Sequence, residues 1–408
     1  MATTLTAARL LTGLPAGADG GPSEIRPGWV RIEDGRVAAL GTGSPPEPPD
    51  VALPDGLLAP GLVDAQVNGA FGVDLGTADE AGWRAVATGL PRHGVTAFVP
   101  TITTAALGDL AAALARYGDV RPGLTALPEA ARTLGMHLEG PFLALSRRGA
   151  HPAAYLREPT PETVQALLAA GGGMLCYLTL APELPGALDA VRTLAAAGVR
   201  VAVGHSDATA ECVHAAAAAG ATLVTHLFNA QSGLYHREPG VVGAALADPR
   251  LTCGLIADGA HVAADVIRIA FAAAPGRIML VSDAVAALGM GPGRYRLGGE
   301  EIVVTDDGPP RRRDGTLAGG GGRLDDAIGR AMAAGVGLAD AVEAATRVPA
   351  DAMGRPDLGR IAPGLPADLV WLAPEGGRWL RARATWIAGR LVHDDGGRPS
   401  PDAPEGDT

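Results

Sequence analysis

The sequence predicts a (β/α)8 barrel of the TIM type, joined to a small β-sandwich domain built from both chain termini. Three observations carry this. Eight apolar, strand-like runs alternate with helix-like stretches between residue 57 and about residue 285, the rhythm of a parallel barrel. Polar residues able to do chemistry follow the apolar runs, as they do at the mouth of such a barrel. Short strand patterns with tight turns occupy both ends of the chain. The 408 residues exceed the roughly 250 of a single barrel, which leaves about 150 for a second unit.

Residues 1–58 read as short strands and turns. "WVRIEDGRVAAL" (29–40) is a hairpin with Asp34-Gly35 at its turn, and the Pro- and Gly-rich stretch 43–56 reads as a linker. The barrel is expected over 59–358. Its strands lie in "GLLAPGLVDAQVNG", "TAFVPTITT", "TLGMHLEGP", "GMLCYLTLAPE", "RVAVGHS", "ATLVTHLFN", "LTCGLIADGAH" and "RIMLVSDA". Seven stretches between them carry helix formers. The weakest follows "HLFN", where only "VVGAALAD" looks helical. An open doubly wound sheet is the competing arrangement. Residues 288–322 read as a long Gly-rich loop with a strand pair around "YRLGGEEIVV", and helices return at 324–335 and 338–347. Strand patterns resume over 359–395 and are expected to pair with 1–58. Residues 396–408 read as a polar, disordered tail.

Composition narrows the function. At 47% hydrophobic the chain can bury a large core. The net charge of −11 argues against nucleic acid or an anionic membrane as partner. All 33 basic residues are arginine, so neither a lysine Schiff base nor a P-loop is available. The three cysteines form no CxxC pair, which reads as a reduced, cytoplasmic protein. No signal peptide or membrane-spanning run is evident.

The strand ends present Gln66, Asn68, Glu139, His205, His226, His261 and Asp283. A lone histidine is more often a satisfied core residue. Glu139, His205 and His226 on three different strands instead form the donor set of a catalytic divalent ion with an open position. Zn²⁺ suits this set, and Fe²⁺, Co²⁺ and Mn²⁺ also accept it. Asp283, in "LVSDAV", either acts as general base and acid on water and leaving group or orients a metal-binding histidine. Arg237 either captures phosphate or carboxylate or sits in a surface salt bridge. His151 lies on the loop after strand three.

Five segments, "GMHLEGPFLALSRRGAHP", "VAVGHSDAT", "VTHLFNAQSGLYHREPG", "GLIADGAHV" and "LVSDA", together resemble the N-acetylglucosamine-6-phosphate deacetylase family of the amidohydrolase superfamily. The resemblance implies metal ligation by Glu139, His205 and His226, and acid/base catalysis by Asp283. It implies that Ala150 and His151 form a lid over sugar and acetamide. Asn229, Ala230, Arg237 and His261 then fall in the substrate pocket, with Arg237 and His261 near the phosphate, and Leu317, Ala318 and Gly319 on a late loop lining it. The implied substrate is a small sugar phosphate and the implied assembly a homodimer. The chain departs from the family at three places. Gln66 and Asn68 replace the HxH pair of two-metal members, which points to a single ion. Gln231 replaces an apolar residue, and "AGGGGRLDD" lacks a Ser or Thr after its first Gly. The last two leave the galactosamine isomer, or another N-acyl compound, open as the substrate.

Overall fold

In a computed structural model, which describes residues 2–14, 23–306, 308–375 and 378–396, the eight apolar runs form parallel strands of one barrel. They are β1 (Leu62–Val67), β2 (Val95–Thr103), β3 (Met136–Glu139), β4 (Leu175–Leu180), β5 (Arg200–Val203), β6 (Ala221–Val224), β7 (Thr252–Leu255) and β8 (Ile278–Leu280). Each pairs with the next in sequence order, and a parallel bridge between Val67 and Ala284 brings the last edge back to the first. The strands are buried on both faces, so they read as continuous apolar runs. Inside the barrel, Ala65, Val99, Tyr177, Ala202, Leu223, Ile256 and Met279 pack together.

The outer helices are α1 (Glu80–Gly89), α2 (Leu107–Thr125), α3 (Pro161–Gly171), α4 (Ala187–Ala196), α5 (Ala210–Ala219), α6 (Gly240–Ala247), α7 (Ala264–Ala273) and α8 (Leu324–Ala333). Their starts follow ordinary capping chemistry. Asp79 accepts from the Gly82 amide, Thr209 from that of Cys212, and Thr160 from that of Thr163 with Pro161 at the first helical position. The weak stretch "VVGAALAD" is indeed a helix. Its buried residues surround it almost entirely, so no amphipathic stripe marks it in the sequence. No helix among the described residues is long and apolar enough to cross a membrane.

The termini build two further sheets. Strands 36–42, 28–33, 3–7 and 51–53 form one, and strands 390–394, 378–387, 369–375, 57–60, 10–11 and 24–25 the other. Leu5, Val30, Ile32, Leu58, Leu369, Trp371 and Trp386 fill the space between them. Alternation along 369–372 turns Leu369 and Trp371 into this core, and Val370 and Leu372 towards the barrel's core. The stretch expected as a linker, 43–56, contains a short strand, Val51–Leu53, paired parallel with Leu5–Ala7. Three residues among prolines give too little alternation to be seen in the sequence. The expected disordered tail lies outside the described residues apart from Gly396.

Candidate active site

Four of the predicted chemical residues come from four strand ends and meet in the barrel mouth. Glu139 closes β3, and His205, His226 and Asp283 follow β5, β6 and β8. All four are buried. His205, His226 and Asp283 have positive φ angles of 50°, 29° and 48°. Such backbone costs about 1–3 kcal/mol per residue and persists where surrounding structure imposes it. Here it swings each side chain off the barrel wall and into the mouth. Gly140 (φ 89°) serves Glu139 in the same way, since a Cβ there would lie 2.2 Å from Thr104 Oγ1.

Glu139 Oε1 lies 3.1 Å from His205 Nε2 and 2.9 Å from His226 Nε2, and the two imidazole nitrogens are 3.1 Å apart. His205 Nδ1 donates to the Arg147 carbonyl at 2.9 Å, so its Nε2 presents a lone pair. Three acceptors this close repel unless a cation sits among them. Their spacing is near the about 3.3 Å edge of a tetrahedron with about 2.0 Å arms. Burial raises the Glu139 carboxyl, but the two imidazoles outweigh it and hold it well below the usual range. The donors therefore fit a divalent ion. His151 also approaches, with Nε2 3.8 Å from Glu139 Oε2, so that Glu139, His151 and His205 form an alternative triad. His226 is nearer by about an ångström, which favours the first set.

The strand-one residues act on Asp283. Gln66 Nε2 and Asn68 Nδ2 both donate to its Oδ1, at 2.9 and 2.8 Å. Amide donors thus stand where an HxH pair would bind a second ion, and they fix the carboxylate instead. Its Oδ2 has no protein partner among the described residues. Burial and then the Glu139 charge push the Asp283 carboxyl up to about 8.

A cavity of about 380 Å³ opens over this cluster. Asn68, Glu139, His205, His226 and Asp283 lie at its floor, and Ala150, His151, Asn229, Ala230, His261, Leu317 and Gly319 around it. Two of the predicted substrate contacts are not brought to it. Ala318 is fully buried in a separate small core behind the late loop. Arg237 is exposed, beyond the cavity lining, and flanked by the exposed Leu234 and Tyr235.

Supporting residues were not legible in the sequence. Asp258 Oδ2 accepts from His261 Nδ1 at 2.8 Å, leaving Nε2 of that ring for a ligand. Burial raises the Asp258 carboxyl, and bonds from His261 and Ala260 reverse this to a net lowering. The spacing of Asp and His in "ADGAH" was the available signal. Thr104 Oγ1 holds His151 Nδ1 at 2.9 Å, and Arg312 donates to the Ala150 carbonyl at 2.7 Å.

The two unusual pocket-loop features resolve locally. Gln231 does not line the cavity. It donates to the Thr225 carbonyl at 2.6 Å and accepts from the Phe228 amide at 3.1 Å, clamping the turn that carries His226 and Asn229. A Cβ at Gly320 would lie 2.0 Å from the Ser282 carbonyl oxygen, so this backbone leaves no room for Ser or Thr there.

The chain matches the Amidohydrolase family over residues 57–392. It is 39% identical over 348 residues to an N-acetylglucosamine-6-phosphate deacetylase of Bos taurus, covering 82% of this chain and 83% of that one. It is 37% identical over 375 residues to an N-acetylgalactosamine-6-phosphate deacetylase of Escherichia coli O157:H7, covering 90% and 96%. An N-acetyl-D-glucosamine-6-phosphate deacetylase from Mycobacterium smegmatis, solved in complex with N-acetyl-D-glucosamine-6-phosphate, superposes with a TM-score of 0.87. It is 36% identical, with 96% of this chain and 99% of that chain covered.

Proposed function

The chain belongs to the amidohydrolase family, among the N-acetylglucosamine-6-phosphate deacetylases, and from that premise we propose that it hydrolyses the acetamide of N-acetyl-D-glucosamine 6-phosphate. The products are acetate and glucosamine 6-phosphate. The observation that carries this is the convergence of Glu139, His205 and His226 beside an Asp283 anchored through one oxygen and free at the other.

Glu139, His205 and His226 would hold one divalent ion, with Zn²⁺ as the proposed occupant. When bound, the ion supplies Lewis-acid chemistry, polarising the amide carbonyl and acidifying the attacking water. Asp283 Oδ2 accepts a proton from that water and later delivers it to the amine nitrogen as the C–N bond breaks. Gln66 and Asn68 keep Oδ1 engaged throughout, so the same oxygen serves both transfers. His151 and Ala150 close over the acetamide side, and Asn229, Ala230, Leu317 and Gly319 line the sugar. His261, oriented by Asp258 through Nδ1, turns Nε2 towards the phosphate side of the pocket.

The test is acetate release from N-acetylglucosamine 6-phosphate, run beside the galactosamine isomer and the unphosphorylated sugar. Metal-dependent turnover is expected, with the glucosamine phosphate preferred. Because Gln231 and Gly320 do not alter the cavity lining, the altered loops give no reason to expect a galactosamine preference. Turnover of that isomer alone would reassign the substrate, and no acetate from any of the three would sink the reading.

We also propose a homodimer in a reducing, cytoplasmic compartment. Leu234 and Tyr235 are 56% and 68% exposed beside Arg237, an apolar surface that a second copy could cover, and all three cysteines are free thiols. Light scattering should give twice the 41.0 kDa chain mass. A monomer at micromolar concentration would remove the dimer from this proposal.

A further inference from the structure

His205 is held by the loop after β3 rather than by the barrel alone. The Ala144 amide donates to its carbonyl at 2.9 Å, and its Nδ1 donates to the Arg147 carbonyl at 2.9 Å. The His151 ring meets its ring edge-to-face, with centroids 4.5 Å apart. A Cβ on Gly149 would come within 3.4 Å of its Cε1. The loop from 144 to 151 therefore wraps one metal-binding imidazole. The ring of His226, by contrast, has its Nδ1 buried with no hydrogen-bond partner among the described residues.

Arg147 ties this wrap shut. Its Nε and Nη2 both donate to Asp207 Oδ1, at 2.9 and 2.8 Å. Asp207 lies two residues past His205 and is itself fixed from the barrel side. Its amide donates to Glu183 Oε1 at 2.6 Å, and the hydroxyl of the neighbouring Ser206 donates to Glu183 Oε2 at 2.7 Å. The guanidinium thus holds the carbonyl of its own residue against His205 Nδ1. A carbonyl in that place sets the tautomer and direction of a metal-binding imidazole, and such partners govern metal affinity strongly. The other end of the same loop carries Ala150 and His151 at the cavity.

We propose that Arg147 is a positioning residue: clasped to Asp207, it couples the lid loop to the grip of His205 on the metal, so that bound sugar phosphate and bound metal retain each other. This rests on the reading of Glu139, His205 and His226 as ligands and of Ala150 and His151 as substrate contacts. Coupling of this kind is reciprocal in affinity, so a ligand that binds tighter to the metal-loaded loop must tighten metal binding by the same factor. The Arg147–Asp207 pair is about 40% exposed on both sides, so it contributes little to global stability. Its effect belongs on metal retention.

The experiment follows extraction of Zn²⁺ from the loaded, full-length protein by excess chelator, with and without glucosamine 6-phosphate. Wild type is compared with Arg147→Gln, with Asp207→Asn and with the exchange Arg147→Asp plus Asp207→Arg. Both single variants are expected to lose Zn²⁺ about tenfold faster, with unchanged thermal unfolding of the chelated proteins. Glucosamine 6-phosphate should slow extraction several-fold in wild type and much less in the single variants. The exchange should restore most of the wild-type behaviour. Equal extraction rates in all four proteins, with metal bound, would overturn this inference alone. Faster loss in the single variants without recovery in the exchange would overturn the clasp as its cause. A chain that takes up no divalent metal would overturn the ligand reading and this inference together.

Discussion

Asp283→Asn leaves the protein folded and metal-loaded but lowers kcat for acetate release by about 10³- to 10⁴-fold, the upper range of what a positioned acid/base group supplies. The substitution keeps an oxygen for the amide donors of Gln66 and Asn68 but removes the atom that carries the proton. KM should change little, because the lost interaction is made only as bonds rearrange. A variant retaining more than a tenth of wild-type kcat would remove Asp283 from the chemistry and leave it as an orienting carboxylate.

The same variant has a second signature, in the metal-free protein. Burial and the Glu139 charge raise the Asp283 carboxyl from its ordinary 3.8 to about 8 in the folded state. Between those values the native protein binds a proton that the unfolded chain has released. The stability contributed by that bound proton is fully present below the lower value and is lost as pH rises towards the upper one. Chelated wild type should therefore weaken relative to Asp283→Asn from about pH 4 to pH 8, by at most about 1.4 kcal/mol per pH unit. Raised groups that do not interact with Asp283, such as Asp74, are present in both proteins and cancel in the difference. Urea midpoints across this range measure it. Parallel curves would show that the carboxyl is not perturbed as its burial requires.

Glu139→Gln carries the other large effect. The carboxylate is the one anion in the triad, lying 2.9 and 3.1 Å from the two imidazoles. A neutral amide in its place offers a cation two imidazoles and a weak carbonyl, and its NH2 group repels. Metal content after dialysis should fall to a small fraction of wild type. Acetate release should fall by at least about 10³-fold, since Lewis-acid assistance is worth several kcal/mol and each 1.36 kcal/mol is a decade. Elemental analysis alongside kcat distinguishes loss of metal from loss of geometry. Full occupancy with near-normal turnover would remove Glu139 from the ligand set in either triad.

Much of this site could be read from the sequence. Apolar runs ending in Glu139, His205, His226 and Asp283 mark strand ends because parallel barrel strands are buried on both faces and only their ends meet water. The strand Val51–Leu53 was hidden by its length and its prolines, and α6 was the faintest of the helices because it lacks a polar face. The pocket loops were harder. Gln231 reads as a change in the pocket, yet its amide turns back onto Thr225 and Phe228. Arg237 reads as a phosphate ligand, yet it stands outside the cavity of its own chain. Asp258 shows its role only in the fold, where its carboxylate accepts from His261 Nδ1.

By itself the sequence determined the order of strands and helices, the candidate donor set for a divalent ion, the acid/base candidate and the replacement of HxH by Gln66 and Asn68. These depend on local pattern and residue chemistry, which the chain carries at each position. Only the tertiary structure decided what Gln66 and Asn68 do, which loop wraps His205, why Gly320 excludes a side chain and which pocket residues reach the cavity. Each of those is a contact between segments far apart in sequence. Its direction is set by backbone turns, such as the positive φ angles after β5, β6 and β8, that the surrounding packing imposes and that no local preference announces.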